Sequence, residues 1–343
     1  MGADGRRQAC VRHVDGAAVT PPFGRRIRRG GFSLVELMIA LVIDLCIIGA
    51  AITVLLKAKD IQATADTLAR LQENARYAMG LIEADVRMAN FWGLHNQPEL
   101  IAINAASTFP GNCGTSWVTD TANFVTGVNN AYSIPCAASG GGALPDADLL
   151  IVRRASAQRI SPQSGIVAAV NRDRVLIVTN QLAGEIFVPK DIGNGIPAGY
   201  ATSEPANAPP LADTRELLVN AYYVSRNSSV ATGYPALRRK RLSAGPSITD
   251  EELLPGVEDL QFQIGVDMDG DANVDRFVNP GAVPADGTPV SIRLWMRVRA
   301  QDRDNGSADT LAYSYADQSW PAANDGYRRV VIHKTLQLRN VSR

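Results

Sequence analysis

Histidine is scarce in this chain of 343 residues, which holds three, His13, His95 and His333. No two of them stand at metal-ligand spacing, and neither a G-x-S-x-G nucleophile turn nor a nucleotide-binding fingerprint occurs. The glycine run Gly140–Gly142 lacks the Lys-Ser/Thr that a phosphate loop needs, so it reads as a flexible surface loop. Catalysis is left without groups to carry it, and the chain reads as a non-enzyme. Net charge is also missing. The 34 basic and 34 acidic residues cancel, which does not suggest a general nucleic-acid binder. Proline is absent from the whole of Phe32–Gln97, so nothing in that stretch interrupts a helix.

What is present is unevenly placed. Residues 1–31 carry seven arginines and two aspartates, a net of +5, and the remainder is net −5. Arg25, Arg26, Arg28 and Arg29 are followed by Gly30–Gly31, then Phe32-Ser33-Leu34-Val35-Glu36, then about twenty mostly apolar residues to Leu56. A helix of that length crosses a bilayer, at about 1.5 Å per residue against roughly 30 Å of hydrocarbon. The arginines predict that the N-terminal side stays in the cytoplasm, so the chain after Leu56 lies beyond the inner membrane. An ordinary secretory signal is cut after its apolar core. Here the small-residue site precedes the core, and cutting there removes only the basic leader, residues 1–31.

Gly31, Phe32, Ser33, Leu34, Val35 and Glu36 resemble the class III signal of type IV pilins and type II secretion pseudopilins. The resemblance implies cleavage between Gly31 and Phe32 by a prepilin peptidase and methylation of the new Phe32 amine. It makes Glu36 the assembly contact, pairing with the positive N-terminal amine of a neighbouring subunit. A lone carboxylate near the membrane needs such a partner. Asp44 departs from the family, which usually has a small residue there. A carboxylate at mid-bilayer costs about 2.5–3.5 kcal/mol on insertion scales. It is either a second polar contact inside a filament or a protonated aspartate with local water access.

Beyond Lys57 the pattern stays helical. Leu68, Leu71, Ala75, Ala78, Met79, Ile82, Val86 and Ala89 form one apolar stripe, which should pack on a sheet. The spacing predicts one helix about 85 Å long, apolar all round over 32–56 and amphipathic over 57–93. The runs Gln72–Arg76 and Asp85–Ala89, with Phe91–Trp92 and Gly93, look like the PilW type of minor pilin. That resemblance implies an α+β lollipop, a long helix on an antiparallel β head. Read as residues alone, these are helix-surface, helix-end and ordinary core side chains.

Residues 94–148 are irregular and read as a variable loop, with the β head at 149–343. Strands are predicted at Leu149–Arg153, Arg174–Thr179, Glu216–Ser225, Pro235–Leu242, Val257–Val266, Ser291–Ala300 and Arg328–Asn340, with a loop at Pro189–Pro210. In Ser291–Ala300, Ile292, Leu294, Met296 and Val298 face inward, and Arg293, Trp295, Arg297 and Arg299 face a wet side. The basic run Arg238–Arg241 has no interleaved aromatics and reads as a solvated edge strand. Of the four cysteines, Cys10 lies in the leader and Cys46 in the apolar helix. Cys113 and Cys136 fall in the head, where an oxidising compartment favours a disulfide over two free thiols.

Asp267, Asp269, Asp271, Asn273 and Asp275 alternate between two strands. The spacing resembles EF-hand-like and integrin-like calcium loops and suits Ca2+, which takes about six to eight oxygens. Ala272 stands where a glycine is expected, and Val278 where the loop would carry glutamate. An acidic hairpin tip is the alternative, since Asp, Asn and Gly also favour turns. The family resemblance implies as partners other minor pilins, the major pilin, the prepilin peptidase, the inner-membrane assembly platform of a Gram-negative bacterium and a large tip adhesin. A subunit like type II secretion pseudopilin J and a calcium-dependent adhesive head on a pilin anchor remain open.

Overall fold

The computed structural model describes residues 31–109, 113–114, 116–160, 167–200, 212–304 and 309–341. The basic leader with its arginines and Cys10, and residues 201–210 of the proline-rich loop, lie outside the described residues. The chain divides into two compact units, residues 1–60 and 61–343. One helix, α1 (Leu34–Met88), has 55 residues. No proline breaks it, and its exit is built for a stop. Asn90 takes φ 62°, the left-handed turn that ends many helices. Asn90 Nδ2 donates to the Asn340 carbonyl at 2.9 Å, and Asn340 Nδ2 donates to that of Ala89 at 3.1 Å. Gly93 follows at φ +93°, where a β-carbon would stand 2.8 Å from Thr179 Oγ1 and 2.9 Å from Asp213 Oδ2.

Every residue of 34–60 is exposed. In the second unit the predicted stripe turns inward. Leu71, Ala75, Ala78, Met79, Ile82, Val86 and Ala89 are buried, and Leu68 is half-buried. Burial of each large member contributes about 1.5–3 kcal/mol.

The strands begin earlier than the sequence suggested. Residues 94–148 hold β1 (Ile101–Ile103), a one-turn helix α2 (Ser116–Thr119) and β2 (Val125–Val128), so this stretch is not only loop. Then come β3 (Leu149–Ile160), β4 (Leu176–Thr179), β5 (Gly184–Phe187), β6 (Asp213–Ser225), β7 (Ala236–Ser243) and β8 (Ser247–Pro255). With β1 and β2 they form an eight-stranded sheet. Its pairs are antiparallel except for β1 with β5. A four-stranded antiparallel sheet follows, in the order β10-β9-β11-β14. It comprises β9 (Val257–Asp267), β10 (Arg276–Val278), β11 (Thr288–Arg303) and β14 (Tyr327–Gln337). A hairpin, β12 (Tyr313–Tyr315) and β13 (Gln318–Trp320), is inserted between β11 and β14. The head therefore packs the second part of α1 on two larger, mostly antiparallel sheets and a hairpin, where a single sheet was expected. The α1 stripe and the inner faces of both larger sheets, including Leu150, Val219, Leu260, Phe262, Ile292, Leu294 and Met296, make one core.

Two expectations about surfaces are corrected. Arg293, Trp295, Arg297 and Arg299 do face away from the core, but that side is covered, not wet. Tyr315 stacks on Trp295 with centroids 6.5 Å apart, and the Arg297 guanidinium lies 4.3 Å over Trp320. Arg299 lies 4.3 Å over Tyr327. The hairpin supplies rings for the arginines to stack on, which period-two alternation in β11 cannot reveal. The glycine run is likewise pinned. Gly140 and Gly142 accept backbone N–H bonds from Asn227 (2.8 Å) and Arg226 (3.0 Å). A β-carbon on Gly140 would stand 2.5 Å from the Asn227 carbonyl. All three glycines have positive φ, and the run needs glycine to lie against β6.

Candidate functional site

At the start of α1, Ser33 and Glu36 cap the helix reciprocally. The Ser33 N–H donates to Glu36 Oε2 at 3.0 Å, and the Glu36 N–H donates to Ser33 Oγ at 3.1 Å. This S-x-x-E box satisfies two N–H groups that the first turn leaves open. Its signal stood in the sequence at Ser33 and Glu36. A β-carbon on Gly31 meets nothing within 4 Å, so the fold of this chain gives no reason for glycine there. Asp44 lies exposed in the same apolar helix, and nothing in the structure explains it.

Farther along α1, Asp85 fixes helix to sheet. It is 4% exposed and accepts from Arg154 Nη2 at 2.7 Å and Arg154 Nε at 3.0 Å. Asn220 Nδ2 and Tyr222 Oη donate to its other oxygen. Burial, and then the Asp85 carboxylate, push the Tyr222 hydroxyl well above its usual range. The sequence marked Asp85 for its resemblance but not as the meeting point of three residues from β3 and β6.

In the acidic loop the structure brings Asp267, Asp269 and Asp275 together, with one ligand oxygen from each within 4.8 Å of the others. Asp271 instead accepts from the N–H and Nδ2 of Asn273, at 2.7 and 2.8 Å. Asp267 Oδ1 accepts the N–H groups of Asp269 and Gly270, and Oδ2 that of Ala272. Desolvation raises the Asp267 carboxyl, but the donors Gly270, Ala272 and Asp269 outweigh it and hold the group below its usual range. Asp269 moves the other way. The Asp271 N–H favours its ionised form, yet the carboxylates of Asp271 and Asp275, with Asp267, push it up. Ala272 holds φ 65°, the conformation for which a glycine was expected. An oxygen-only set of three carboxylates suits a hard cation; Asp267 Oδ1 is filled by two N–H groups, while Asp267 Oδ2, Asp269 Oδ1 and Asp275 Oδ2 each accept one and keep a lone pair. Asp271 and Asn273 would have to turn to join it. A cavity of about 390 Å³ adjoins the loop, between Asp267, Ala272, Val290, Leu338 and Arg339.

The Arg238–Arg241 run is not a solvated edge. β7 lies between β6 and β8, and three charges of the run are matched to β8, while Arg241 stands between Asn220 and Thr249. Arg238 pairs with Asp250 at 2.8 Å and Glu252 at 3.0 Å. Lys240 pairs with Asp250 at 2.7 Å, and Arg239 Nε donates to Glu251 at 2.6 Å. The run therefore offers phosphate no free basic patch. Cys113 and Cys136 are joined in a disulfide, and Cys46 is free and exposed. His95 is buried and His333 is exposed on β14.

Residues 26–52 match the family model of the prokaryotic N-terminal methylation motif. Residues 221–340 match that of the Type IV Pilus-assembly protein W. Among solved structures, a type IV-like pilin from Thermus thermophilus is 12% identical, with a TM-score of 0.35, covering 80% of this chain and 98% of its own. No curated protein shows significant similarity. The motif implies processing by a prepilin peptidase, and with the apolar helix it fits a pilin anchored in the inner membrane. Pilins of this family are structural proteins, not enzymes. The methylation motif over residues 26–52 and the assembly-protein W match over residues 221–340 support a pilin of the PilW type.

Proposed function

We propose that this pilin is a minor pilin that primes type IV pilus assembly and ends at or near the pilus tip. The observation that carries the proposal is the helix 34–60, apolar over most of its length, exposed on every side and placed directly behind the processing site. So much uncovered apolar surface needs a lipid or protein partner. The bilayer supplies the first, and the helices of other minor pilins and of the major pilin supply the second. Glu36 then leaves its own cap to pair with a neighbour's N-terminal amine, which sets the axial register. The assembly platform and a large tip adhesin complete the partner set. The work is done by binding and polymerisation. The acidic loop holds calcium in this proposal and stiffens the turn between β9 and β10.

The test is Gly31→Leu in the full chain, expressed in its own bacterium and followed by immunoblot and by counting pili. The precursor is expected to accumulate uncut and pili to be lost. Normal cutting and normal piliation would sink the proposal. Co-purification of processed wild-type chain with pilus components is expected. Recovery with secretion components instead would favour the pseudopilin J reading.

A further inference from the structure

The four-stranded sheet ends in β14, which among the described residues pairs with β11 and with no other strand. An open edge offers its N–H and C=O groups to any strand that can reach it, and folds usually blunt such edges. The other edge strands of the two larger sheets are blunted. β1, β2 and β10 have three, four and three residues. β8 is longer, but it carries Asp250, Glu251 and Glu252 in a row, and its register with β7 shifts between Leu237 and Arg238. β14 has eleven residues and neither device. It holds no proline, and its register runs unbroken from Gln337 opposite Ser291 to Arg329 opposite Arg299. Val330, Val331, Ile332 and His333 put no acid, lysine or arginine on its middle stretch, and the ammonium of Lys334 is held by Glu83 of α1 at 2.5 Å.

The direction of the backbone groups follows from two bonds. The Leu338 N–H donates to the Val290 carbonyl at 2.9 Å, and the Arg299 N–H turns away from β14, to Gly256, at 2.7 Å. Opposed residues in an antiparallel pair alternate between bonded and unbonded. The register therefore aims the backbone of Val330, Ile332, Lys334 and Leu336 at β11, and that of Val331, His333, Thr335 and Gln337 at the open side. His333, Thr335 and Gln337 are exposed. The core is also unfinished here, because Val330 and Ile332 pack on it yet stay half-buried. Charge narrows the occupant. From Tyr327 to Arg343 the chain has five basic residues and no acidic one. Arg328, Arg329 and Lys334 are paired within the chain, whereas Arg339 is exposed and forms no ion pair among the described residues. We propose that β14 is a strand-addition site for an extended segment of a neighbouring pilin, with apolar side chains laid over Val330 and Ile332 and a carboxylate beside Arg339. A row of backbone groups takes only another strand, and the β14 of a second copy would bring the same basic charge. The added strand carries the four-stranded sheet on into the next subunit, a contact separate from helix packing. The inference rests on the chain being a pilin, and on neither the priming role nor the tip position.

The test places the photo-crosslinker p-benzoylphenylalanine at His333, Thr335 and Gln337, one at a time, in the full chain in its own bacterium. Mass spectrometry then maps the residues it joins. Crosslinks are expected on one segment of another pilin, and they should step along it by about two residues as the probe steps by two. A subunit that does not prime assembly can still show this ladder, so the two proposals fail separately. Thr335→Pro removes one outward N–H and keeps the bonds to β11, a place where an edge strand tolerates proline. It should leave the urea midpoint in place while the crosslinked partner recovered from the His333 probe falls about tenfold or more. Arg339→Glu breaks no ion pair within the chain and should give a similar loss, which decides the matter if Thr335→Pro disturbs the fold. The proposal is overturned if the crosslinks scatter, if they fall on the β14 of a second copy, or if Arg339→Glu leaves the recovery unchanged.

Discussion

Replacing Asp85 by alanine tests whether one carboxylate carries the joint between α1 and the eight-stranded sheet. Asp85 and Arg154 are 6% and 16% exposed in their side chains, so solvent cannot take over the charge left behind. The substitution removes two charge-assisted bonds from Arg154 and leaves Asn220 Nδ2 and the Tyr222 hydroxyl without an acceptor. Each stranded buried donor costs about 1–3 kcal/mol, and breaking a buried pair from one side costs about 3–5 kcal/mol. These are not additive, because Arg154 can swing partly toward water, so the whole loss is about 3–5 kcal/mol. At roughly 2–4 °C per kcal/mol for a unit of this size, Tm should fall by roughly 6–20 °C. Urea denaturation of the full chain in micelles measures the loss, and Arg154→Leu completes a double-mutant cycle. The coupling term should be large and the double variant less damaged than the sum of the singles. A loss below about 1 kcal/mol for Asp85→Ala would refute the account, since a buried hub cannot be that cheap to remove.

The remaining expectations concern the head. The Cys113–Cys136 bridge closes a separation of 23 residues, and replacing both cysteines by serine should cost about 3 kcal/mol, read as a lower urea midpoint under oxidising conditions only. Asp259 gives a pH signature. Burial pushes its carboxyl up to about 6, against the bonds from Gln261 and Tyr315 and the nearby Arg297. A folded value above the unfolded 3.8 means folding takes up a proton. Its contribution is full below 3.8 and is lost as pH rises through about 6. Between pH 4 and 7 the wild type should lose roughly 2–2.5 kcal/mol relative to Asp259→Asn, and a difference that stays constant with pH would contradict this.

The parts of the fold legible in the sequence are those whose pattern is local. The α1 stripe shows a helical period because one face of one element is buried against the sheets. β9 and β11 show period two because Leu260, Phe262, Ile264 and Ile292, Leu294, Met296 all face one core. β8 escaped because Ser247–Pro255 has no apolar alternation. It exists through its partner, with Asp250 opposite Lys240 and Glu251 opposite Arg239, a complement visible only once β7 is placed beside it. The three-residue strands β12 and β13 are too short to leave a period, and the arginines they cover looked solvated for that reason. Asp85 could be seen, but its partners Arg154, Asn220 and Tyr222 lie 69, 135 and 137 residues away. The Asn129–Asp317 contact spans 188 residues, and no spacing rule reaches that far.

The start of α1 shows how the same residues serve two states. In the single chain Glu36 spends an oxygen on the Ser33 N–H, and Ser33 Oγ returns the favour. Losing such a cap costs about 0.5–2 kcal/mol. The proposed pairing of Glu36 with a neighbour's amine must exceed that cost, or the subunit would stay capped and alone. At an exposed surface it would not, because an ion pair there contributes about 0–1 kcal/mol. In the low dielectric of a bilayer or a helix bundle it can, because attraction between opposite charges rises as water leaves. The cap therefore holds the carboxylate in place until the environment changes, and docking is favoured only where apolar surface is being covered at the same time. Ser33→Ala separates the two roles. It removes the Oγ that accepts the Glu36 N–H, while the backbone N–H of residue 33 and the Glu36 charge both remain, so it should loosen the first turn of the helix yet leave incorporation into pili intact. Loss of incorporation in Ser33→Ala at normal processing would mean that the box itself, and not a free Glu36, is what the neighbouring subunit recognises.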